Sequence, residues 1–154
     1  MDFCRTKQTR LEELMPLIRE RLDAGGKVRF SPMGISMLPM LRQGMDTVTL
    51  SPVPKRLKKY DLPLYRRDDG KYILHRIVKT GECYTCIGDN QFALETGVRQ
   101  DQIIAVVTSF SRNGKDIPVT ALSYQLYCRM WHYSRPVRRF WRRGIGWLRR
   151  NFMK

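Results

Sequence analysis

The feature that most constrains this fold is a series of short apolar runs between Lys27 and Phe110, each too short for a helix. Glycine, proline, asparagine and aspartate residues separate the runs, a pattern typical of short antiparallel strands. It predicts a mainly β fold, a compact antiparallel barrel or sandwich, with a hairpin turn at Arg67–Lys71. The predicted strands are Val28–Phe30, Thr47–Leu50, Leu62–Tyr65, Tyr72–Val78, Cys83–Ile87 and Ile103–Phe110.

An amphipathic helix is predicted before the strands, from Thr9 to Ala24. Thr9 is the candidate N-cap, and Gly25 and Gly26 would end the helix. Its apolar residues recur at helical spacing: Leu11, Leu14, Met15, Ile18 and Leu22. A chain of 154 residues is expected to form one core. The expected organisation is an N-terminal helix (1–26), a β-domain (27–118) and a basic helical tail (119–154).

The spacing of apolar residues in the tail predicts two helical segments, which Pro136 separates. The first is indicated by Leu122, Leu126 and Met130, and the second by Val137, Trp141, Ile145, Leu148 and Phe152. The tail also carries much of the net charge of +15, because no acidic residue follows Asp116. The basic residues beyond that point are Arg129, Arg135, Arg138, Arg139, Arg142, Arg143, Arg149, Arg150 and Lys154.

A basic, aromatic helix suits an anionic membrane surface, since tryptophan favours the interface and arginine favours the headgroups. The alternative is a helix packed on the β-domain with a solvated basic side, and nucleic acid is disfavoured because no recognition motif accompanies the charge. No apolar run approaches the ~20 residues that cross a bilayer, and no secretory signal is visible. We therefore expect a cytoplasmic protein, with the membrane surface as a candidate contact. The candidate membrane-surface residues are Trp141, Arg142, Trp147 and Arg149.

Four cysteines are present, and Cys83 and Cys86 form a Cys-x-x-Cys pair. A zinc site would need a second ligand pair at suitable spacing, and none follows. Residues three apart on a strand also point to opposite faces. We therefore expect small buried residues rather than metal ligands, and we expect no cofactor.

The segment with the most chemical information contains Ser36, between a glycine and a proline. Gly34 allows close backbone approach, and Pro39 stiffens the segment that follows. Such a loop can present a hydroxyl and aim backbone N–H groups at a developing oxyanion, although similar serines occur in ordinary loops. Ser36 is the candidate nucleophile. The candidate oxyanion and substrate-binding positions are Gly34, Ile35, Met37 and Pro39.

A second candidate is His75, which strand geometry would place on one face with Ile73 and Ile77, with Arg76 pointing the other way. A histidine on an apolar face is often only a core residue. Burial nevertheless disfavours the charged imidazole, and the neutral form is the one that a general base needs.

The third candidate is Asp89, in the sequence Gly88-Asp89-Asn90. These residues could simply form a turn. Alternatively, the carboxylate could orient His75 and stabilise its protonated form, as an aspartate does in serine hydrolases. Glu95 and Asp101 are the other carboxylates within reach in the sequence.

Four boxes in this order and spacing resemble the signal peptidase I and LexA-like superfamily, the S24/S26 serine peptidases. They are Gly34-x-Ser36-Met37-x-Pro39-x-Leu41, Tyr60-Asp61-x-Pro63-Leu64-Tyr65, His75-Arg76-Ile77 and Gly88-Asp89-Asn90. The resemblance covers roughly Lys27 to Phe110 and implies the β fold of that superfamily, with Ser36 acylated. The base position is lysine in bacterial signal peptidases and LexA-like proteins. It is histidine in endoplasmic-reticulum, archaeal and some spore-associated signal peptidases, so His75 resembles that branch, in which an aspartate supports the histidine.

The chain departs from this pattern in two places. Signal peptidases usually carry a transmembrane helix before the serine box, and many carry serine where this chain has Gly34. The oxyanion donors implied here are backbone N–H groups, notably that of Ser36. The resemblance implies an endopeptidase for extended leader or precursor peptides, with small residues before the cut. The alternatives are a self-cleaving LexA-like regulator, for which no DNA-binding helix-turn-helix fits before Lys27, and a non-catalytic binding module.

Overall fold

The computed structural model describes residues 3–141, with side chains described from residue 11 onward. The helices are α1 (Phe3–Asp23) and α2 (Leu122–Tyr133), a 3-10 turn spans Gln100–Gln102, and residues 135–141 are again helical. The strands are β1 (Val28–Phe30), β2 (Thr47–Ser51), β3 (Pro63–Arg66), β4 (Tyr72–Leu74), β5 (Arg76–Lys79), β6 (Tyr84–Ile87), β7 (Glu95–Val98), β8 (Ile103–Arg112) and β9 (Lys115–Pro118).

Two antiparallel sheets form the β-domain. The larger has the order β1-β2-β8-β3-β4, with β9 also paired to β8, and the smaller has the order β5-β6-β7. The ten-residue strand β8 is the centre of the larger sheet, because it pairs with β2, β3 and β9. The prediction of a mainly antiparallel β fold is confirmed, and the described strands do not form a closed barrel.

The main core lies between the larger sheet and the two helices. Strand residues such as Val48, Leu50, Leu64 and Val107 alternate inward from the sheet and are almost fully buried. The helices and the loop after β1 cover them with Met15, Ile18, Leu22, Met37, Met40, Leu41, Tyr124 and Cys128. A second apolar cluster, which includes Tyr65, Ile77, Tyr84 and Cys86, joins the smaller sheet to the larger one.

The predicted strand Tyr72–Val78 is wrong in one respect, because the chain changes sheets at His75. Strand β4 is an edge of the larger sheet, whereas β5 belongs to the smaller one. His75 and Arg76 are both buried, at 3% and 1% exposure, although a continuous strand would point them to opposite faces. The break therefore brings two adjacent polar side chains into the interior.

Other boundaries also differ from the sequence prediction. Helix α1 begins at Phe3, so Thr9 lies inside the helix and cannot be its N-cap. Strands β7 and β9 are absent from the prediction because neither has a clear apolar alternation. The hairpin is confirmed: the Arg67 N–H donates to the Lys71 carbonyl at 2.9 Å, and Gly70 has a φ of 85°.

The predicted helix after Pro118 is confirmed as α2, which contacts the main core through Tyr124 and Cys128. The helix ends at Ser134, and Pro136 lies in the first turn of the next helical segment, where its missing N–H would be unpaired anyway. The apolar residues that predicted α2 face outward, with exposures of 72%, 51% and 69% for Leu122, Leu126 and Met130. Within residues 3–141, no helix is both long and apolar enough to span a membrane.

Candidate active site

The loop between β1 and β2 carries Ser36 and is anchored by burial of its own side chains. Met37, Met40 and Leu41 are each at most 4% exposed, whereas Ser36 is only partly buried. Gly34 has a φ of 97°, a region that favours glycine, and its N–H donates to the Gln43 side-chain oxygen at 2.9 Å. The turn before Ser36 is therefore fixed while Ser36 keeps access to solvent.

The loop after β6 packs directly against the Ser36 loop. The backbone N–H of Asn90 donates to the Ser36 carbonyl at 2.8 Å. The side-chain amide of Asn90 donates to the Ile35 carbonyl at 3.1 Å. Two boxes that are distant in the sequence are thus joined backbone to backbone at the candidate nucleophile.

Gly88, at the start of that second loop, lies close to both the Ser36 backbone and the His75 imidazole. A Cβ atom at position 88 would lie 2.6 Å from the Ser36 carbonyl oxygen and 3.1 Å from Nε2 of His75. Both groups therefore pack closely against the same small residue. Among the described residues, the Ser36 hydroxyl makes no hydrogen bond to the imidazole. Such catalytic hydrogen bonds are often long until substrate binds.

The other ring nitrogen of His75 faces a polar cluster. Nδ1 lies 3.4 Å from the Tyr65 hydroxyl and 3.4 Å from Oε2 of Glu95. The Tyr65 hydroxyl donates to that same oxygen at 2.7 Å, and the Arg67 guanidinium donates to both oxygens of Glu95. Since the Tyr65 hydrogen is directed at Glu95, both oxygens near Nδ1 are acceptors. They favour the tautomer with the proton on Nδ1, which leaves the lone pair of Nε2 on the side of Gly88.

The charges in this cluster suit a general base. Burial lowers the pKa of His75 more than the neighbouring Glu95 carboxylate raises it, so the imidazole is neutral at pH 7. Burial alone would raise the pKa of Glu95, but hydrogen bonds from Arg67 and Tyr65 outweigh this and lower it. A neutral imidazole therefore lies beside an ionised carboxylate.

Asp89 has a different neighbour from the one expected. Arg76 binds its two carboxylate oxygens through Nε and Nη2, each at 2.8 Å, and both side chains are fully buried. The Tyr127 hydroxyl donates to the same carboxylate at 3.3 Å, and the Trp131 indole donates to the Asp89 carbonyl at 2.8 Å. Within residues 3–141, Asp89 makes no hydrogen bond to His75. Its place beside the imidazole is taken by Glu95, since the Arg76 guanidinium satisfies the Asp89 oxygens.

Arg76 connects the loop that carries Asp89 to other parts of the protein through several side-chain contacts. Beyond Asp89, its guanidinium lies 2.8 Å from the Tyr124 hydroxyl and 2.9 Å from each of two sulfur atoms, those of Cys128 and Met40. These partners come from α2 and from the Ser36 loop. The ion pair therefore fixes the relative position of the two loops and the C-terminal helix.

The remaining predicted site residues divide into outward-facing and inward-facing positions. Ile35 is 64% exposed and Pro39 is exposed beside Ser36, so both could face a substrate. The Met37 side chain is buried in the main core, which limits it to anchoring the loop. Asp101 lies on the 3-10 turn and binds the Arg99 side chain at 3.1 Å. Of the predicted membrane-surface residues, Trp141 is 67% exposed, and the others, Arg142, Trp147 and Arg149, lie outside the described residues.

The cysteine pair differs in part from the expectation of two buried residues, since Cys86 is buried but Cys83 is exposed. Burial raises the pKa of Cys86 to about 12, which disfavours the thiolate that a metal would need. In the part of the chain that the structure describes, no group of three or more His, Cys, Asp or Glu side chains could hold a metal ion.

Comparison with known proteins adds no relative: no family model, no curated protein and no solved structure matches this chain.

Tyr65 and Arg67 are site residues that the sequence did not predict, and Asp89 was expected ahead of Glu95 as the partner of His75. Tyr65 lies in one of the four boxes, and Arg67 follows it by two residues, a spacing that puts two side chains on one face of an extended chain. This spacing could have identified them. Glu95 lies on an unpredicted strand. Its approach to His75 depends on the pairing of β6 with β7, which no local pattern reveals.

Proposed function

We propose that this chain is a serine endopeptidase of the signal-peptidase type, in which Ser36 is the nucleophile and His75 the general base. The observation that carries the proposal is that Nε2 of His75 and the Ser36 backbone both pack against the same glycine, Gly88. The two residues are 39 positions apart in the sequence, so a shared contact of this kind needs a folded site. The preference for the Nδ1–H tautomer gives Nε2 the lone pair that a base requires.

In the proposed reaction, Nε2 of His75 takes the hydroxyl proton while Ser36 Oγ attacks the carbonyl carbon of the scissile peptide bond. The carbonyl electron pair moves onto oxygen, where the Ser36 backbone N–H would stabilise it. Collapse of this intermediate breaks the C–N bond, and the imidazolium gives its proton to the departing amine. Water then attacks the acyl-enzyme, with His75 again as the base, and releases the acid and free Ser36.

Glu95 takes the supporting role in this mechanism. Its carboxylate, fixed by Arg67 and Tyr65, is the negative charge nearest to Nδ1 and would stabilise the imidazolium formed in the transition state. Asp89 acts indirectly, as a positioning residue. By pairing with Arg76 it holds the Gly88 loop against the Ser36 loop.

Four sequence boxes and the antiparallel sheets support an S24/S26-like fold for this activity. The competing function is a non-catalytic or self-cleaving LexA-like regulatory or binding module. An ionised Glu95 at low solvent exposure beside a neutral, buried His75 favours the enzyme, since perturbed groups of this kind cluster at catalytic sites.

The test is cleavage of a mixture of leader-containing precursor peptides, followed by mass spectrometry of the products. The wild-type chain should give discrete cuts, and Ser36→Ala and His75→Ala should each lower the rate by several orders of magnitude. Equal folding of the three proteins would be checked by circular dichroism. Unchanged cleavage by either variant would refute the proposed pair.

We also propose that the C-terminal region contacts an anionic membrane surface, because one face of α2 is apolar and exposed in the part of the chain that the structure describes. That face consists of Leu122, Leu126, Met130 and Tyr133, which are 51–72% exposed, and basic residues follow it without acidic ones. Co-sedimentation with vesicles of phosphatidylcholine alone or mixed with phosphatidylglycerol tests this. Binding should require the anionic lipid and fall when Met130→Asp is introduced. Equal recovery with neutral vesicles, or no effect of the substitution, would contradict it.

A further inference from the structure

An open apolar groove begins beside the Ser36 loop and ends on the C-terminal helical segment. It encloses about 590 Å³, within the range of roughly 300–1,000 Å³ typical of ligand pockets. Its apolar walls are formed by Leu38, Pro39, Phe92, Trp131, Val137 and Trp141. We call this surface the apolar groove.

The near end of the apolar groove belongs to the candidate active site. Leu38 and Pro39 follow Ser36 by two and three residues. Asn90, which also lines the groove, donates its backbone N–H to the Ser36 carbonyl. A chain that places a carbonyl carbon at Ser36 would therefore enter the groove within roughly three residues of that carbon, given a span of about 3.3 Å per extended residue.

The central wall of the groove, Trp131, is held by several contacts. The Trp131 indole donates to the Asp89 carbonyl at 2.8 Å, and its ring stacks on Tyr127 with a centroid distance of 5.7 Å. The Arg138 guanidinium lies 3.7 Å from the ring centroid and donates to the Trp131 carbonyl at 2.6 Å. A wall held in this way loses little conformational entropy when a ligand packs against it.

The chemistry of the groove walls indicates which kind of side chain would bind there. Flat aromatic and aliphatic surfaces favour a bulky apolar side chain and offer little to a small or charged one. Among residues 3–141, Arg138 is the charged residue that lines the groove, and the chain as a whole is strongly basic. Neutral or acidic sequence around the apolar residue is therefore favoured over basic sequence.

We infer that the apolar groove is a substrate subsite that binds a large aliphatic or aromatic side chain of the peptide, close to the bond cleaved at Ser36. The inference rests on the proposed peptidase function and adds a substrate class to it. Continuity with the Ser36 loop favours a peptide over a lipid, since the groove opens on the residues that would hold the scissile bond.

The test compares two aspartate substitutions at exposed apolar residues. Val137→Asp places a charge in the groove at a residue that is 60% exposed, and Leu17→Asp is the matched control on the outer face of α1, at 64% exposed. Both proteins are given the same peptide library, and all cut sites are read by mass spectrometry. The wild type and the control should show bulky apolar residues enriched at one fixed distance from the cut.

With Val137→Asp, kcat/KM for such peptides should fall about 10- to 100-fold, the effect of losing burial of one large apolar side chain. Peptides with alanine at that position should change much less. Cleavage that depends on Ser36 but shows no apolar enrichment would overturn the subsite and leave the peptidase intact.

Binding of fluorescent apolar peptides to Ser36→Ala, with and without Val137→Asp, separates the two proposals. Weaker binding with the added aspartate supports the subsite even if no peptide is cut. If Val137→Asp instead abolishes retention by anionic vesicles and leaves peptide binding and selectivity unchanged, the groove is a lipid contact and the inference is overturned.

Discussion

Replacing Gly88 with alanine perturbs the contact on which the proposed site depends. The new methyl carbon would lie 2.6 Å from the Ser36 carbonyl oxygen, closer than real Cβ atoms come to other heavy atoms. The oxygen would have to move by several tenths of an ångström, and it already accepts a 2.8 Å hydrogen bond from Asn90. Nε2 of His75, at 3.1 Å, would also be closer than most real Cβ contacts and would have to shift. Gly88 does not have a positive φ, so the cost comes from space rather than from backbone conformation.

Overpacking of this kind costs about 1–3 kcal/mol of unfolding free energy. Displacing a nucleophile and its base by a fraction of an ångström to 1 Å should lower kcat/KM by about 10- to 100-fold. Urea unfolding and peptide cleavage would be measured on Gly88→Ala and on Gly81→Ala. The latter is the control because, among the described residues, a Cβ there would meet only the Cys83 carbonyl, at 3.6 Å. If Gly88→Ala loses stability but keeps wild-type kcat/KM, the idea that this contact aligns the catalytic pair is refuted.

Two further predictions concern the buried charges. Because burial lowers the pKa of His75, kcat/KM should rise with pH to a plateau with a midpoint below about 6.5. Glu95→Gln should move that midpoint lower, since the carboxylate raises the pKa, and should reduce the plateau about tenfold or more; an unmoved midpoint would exclude Glu95 as the supporting group. Arg76→Ala should cost about 3–5 kcal/mol in urea unfolding, since it leaves Asp89 buried without its counter-charge. Arg29→Ala, which breaks an exposed ion pair, should cost less than about 1 kcal/mol, and similar losses would contradict the buried pairing.

Sequence patterns predicted the strands whose side chains alternate clearly, such as β2 and β8, and the helix stripe of α1. They failed at His75, because a run without glycine or proline gives no sign that the chain passes from one sheet to another. They also missed β7, where Gly97 and exposed polar residues replace the alternation. A local pattern identifies a strand only when one of its faces is buried along its whole length.

Only part of the site could be predicted from the sequence, for a related reason. Ser36 and His75 stand in boxes with recognisable local composition, so both were identified from the sequence. The partner of Asp89 could not be identified in this way, since Arg76 was expected on the strand face opposite His75. The other partners of Arg76, such as Tyr124, are far away in the sequence. The choice between Asp89 and Glu95 depends on which carboxylate a buried arginine satisfies first, and that is a property of the folded chain.

The most direct test of the central claim is detection of the acyl-enzyme. Wild-type protein would be mixed with an activated ester of a cleaved peptide, quenched in acid within milliseconds to seconds, and digested for mass spectrometry. The account predicts a mass increase equal to the acyl group on the fragment that contains Ser36, with no adduct in Ser36→Ala. It also predicts much slower acylation in His75→Ala. An adduct on another residue, or cleavage by Ser36→Ala at the wild-type rate, would contradict the assignment of Ser36 as the nucleophile.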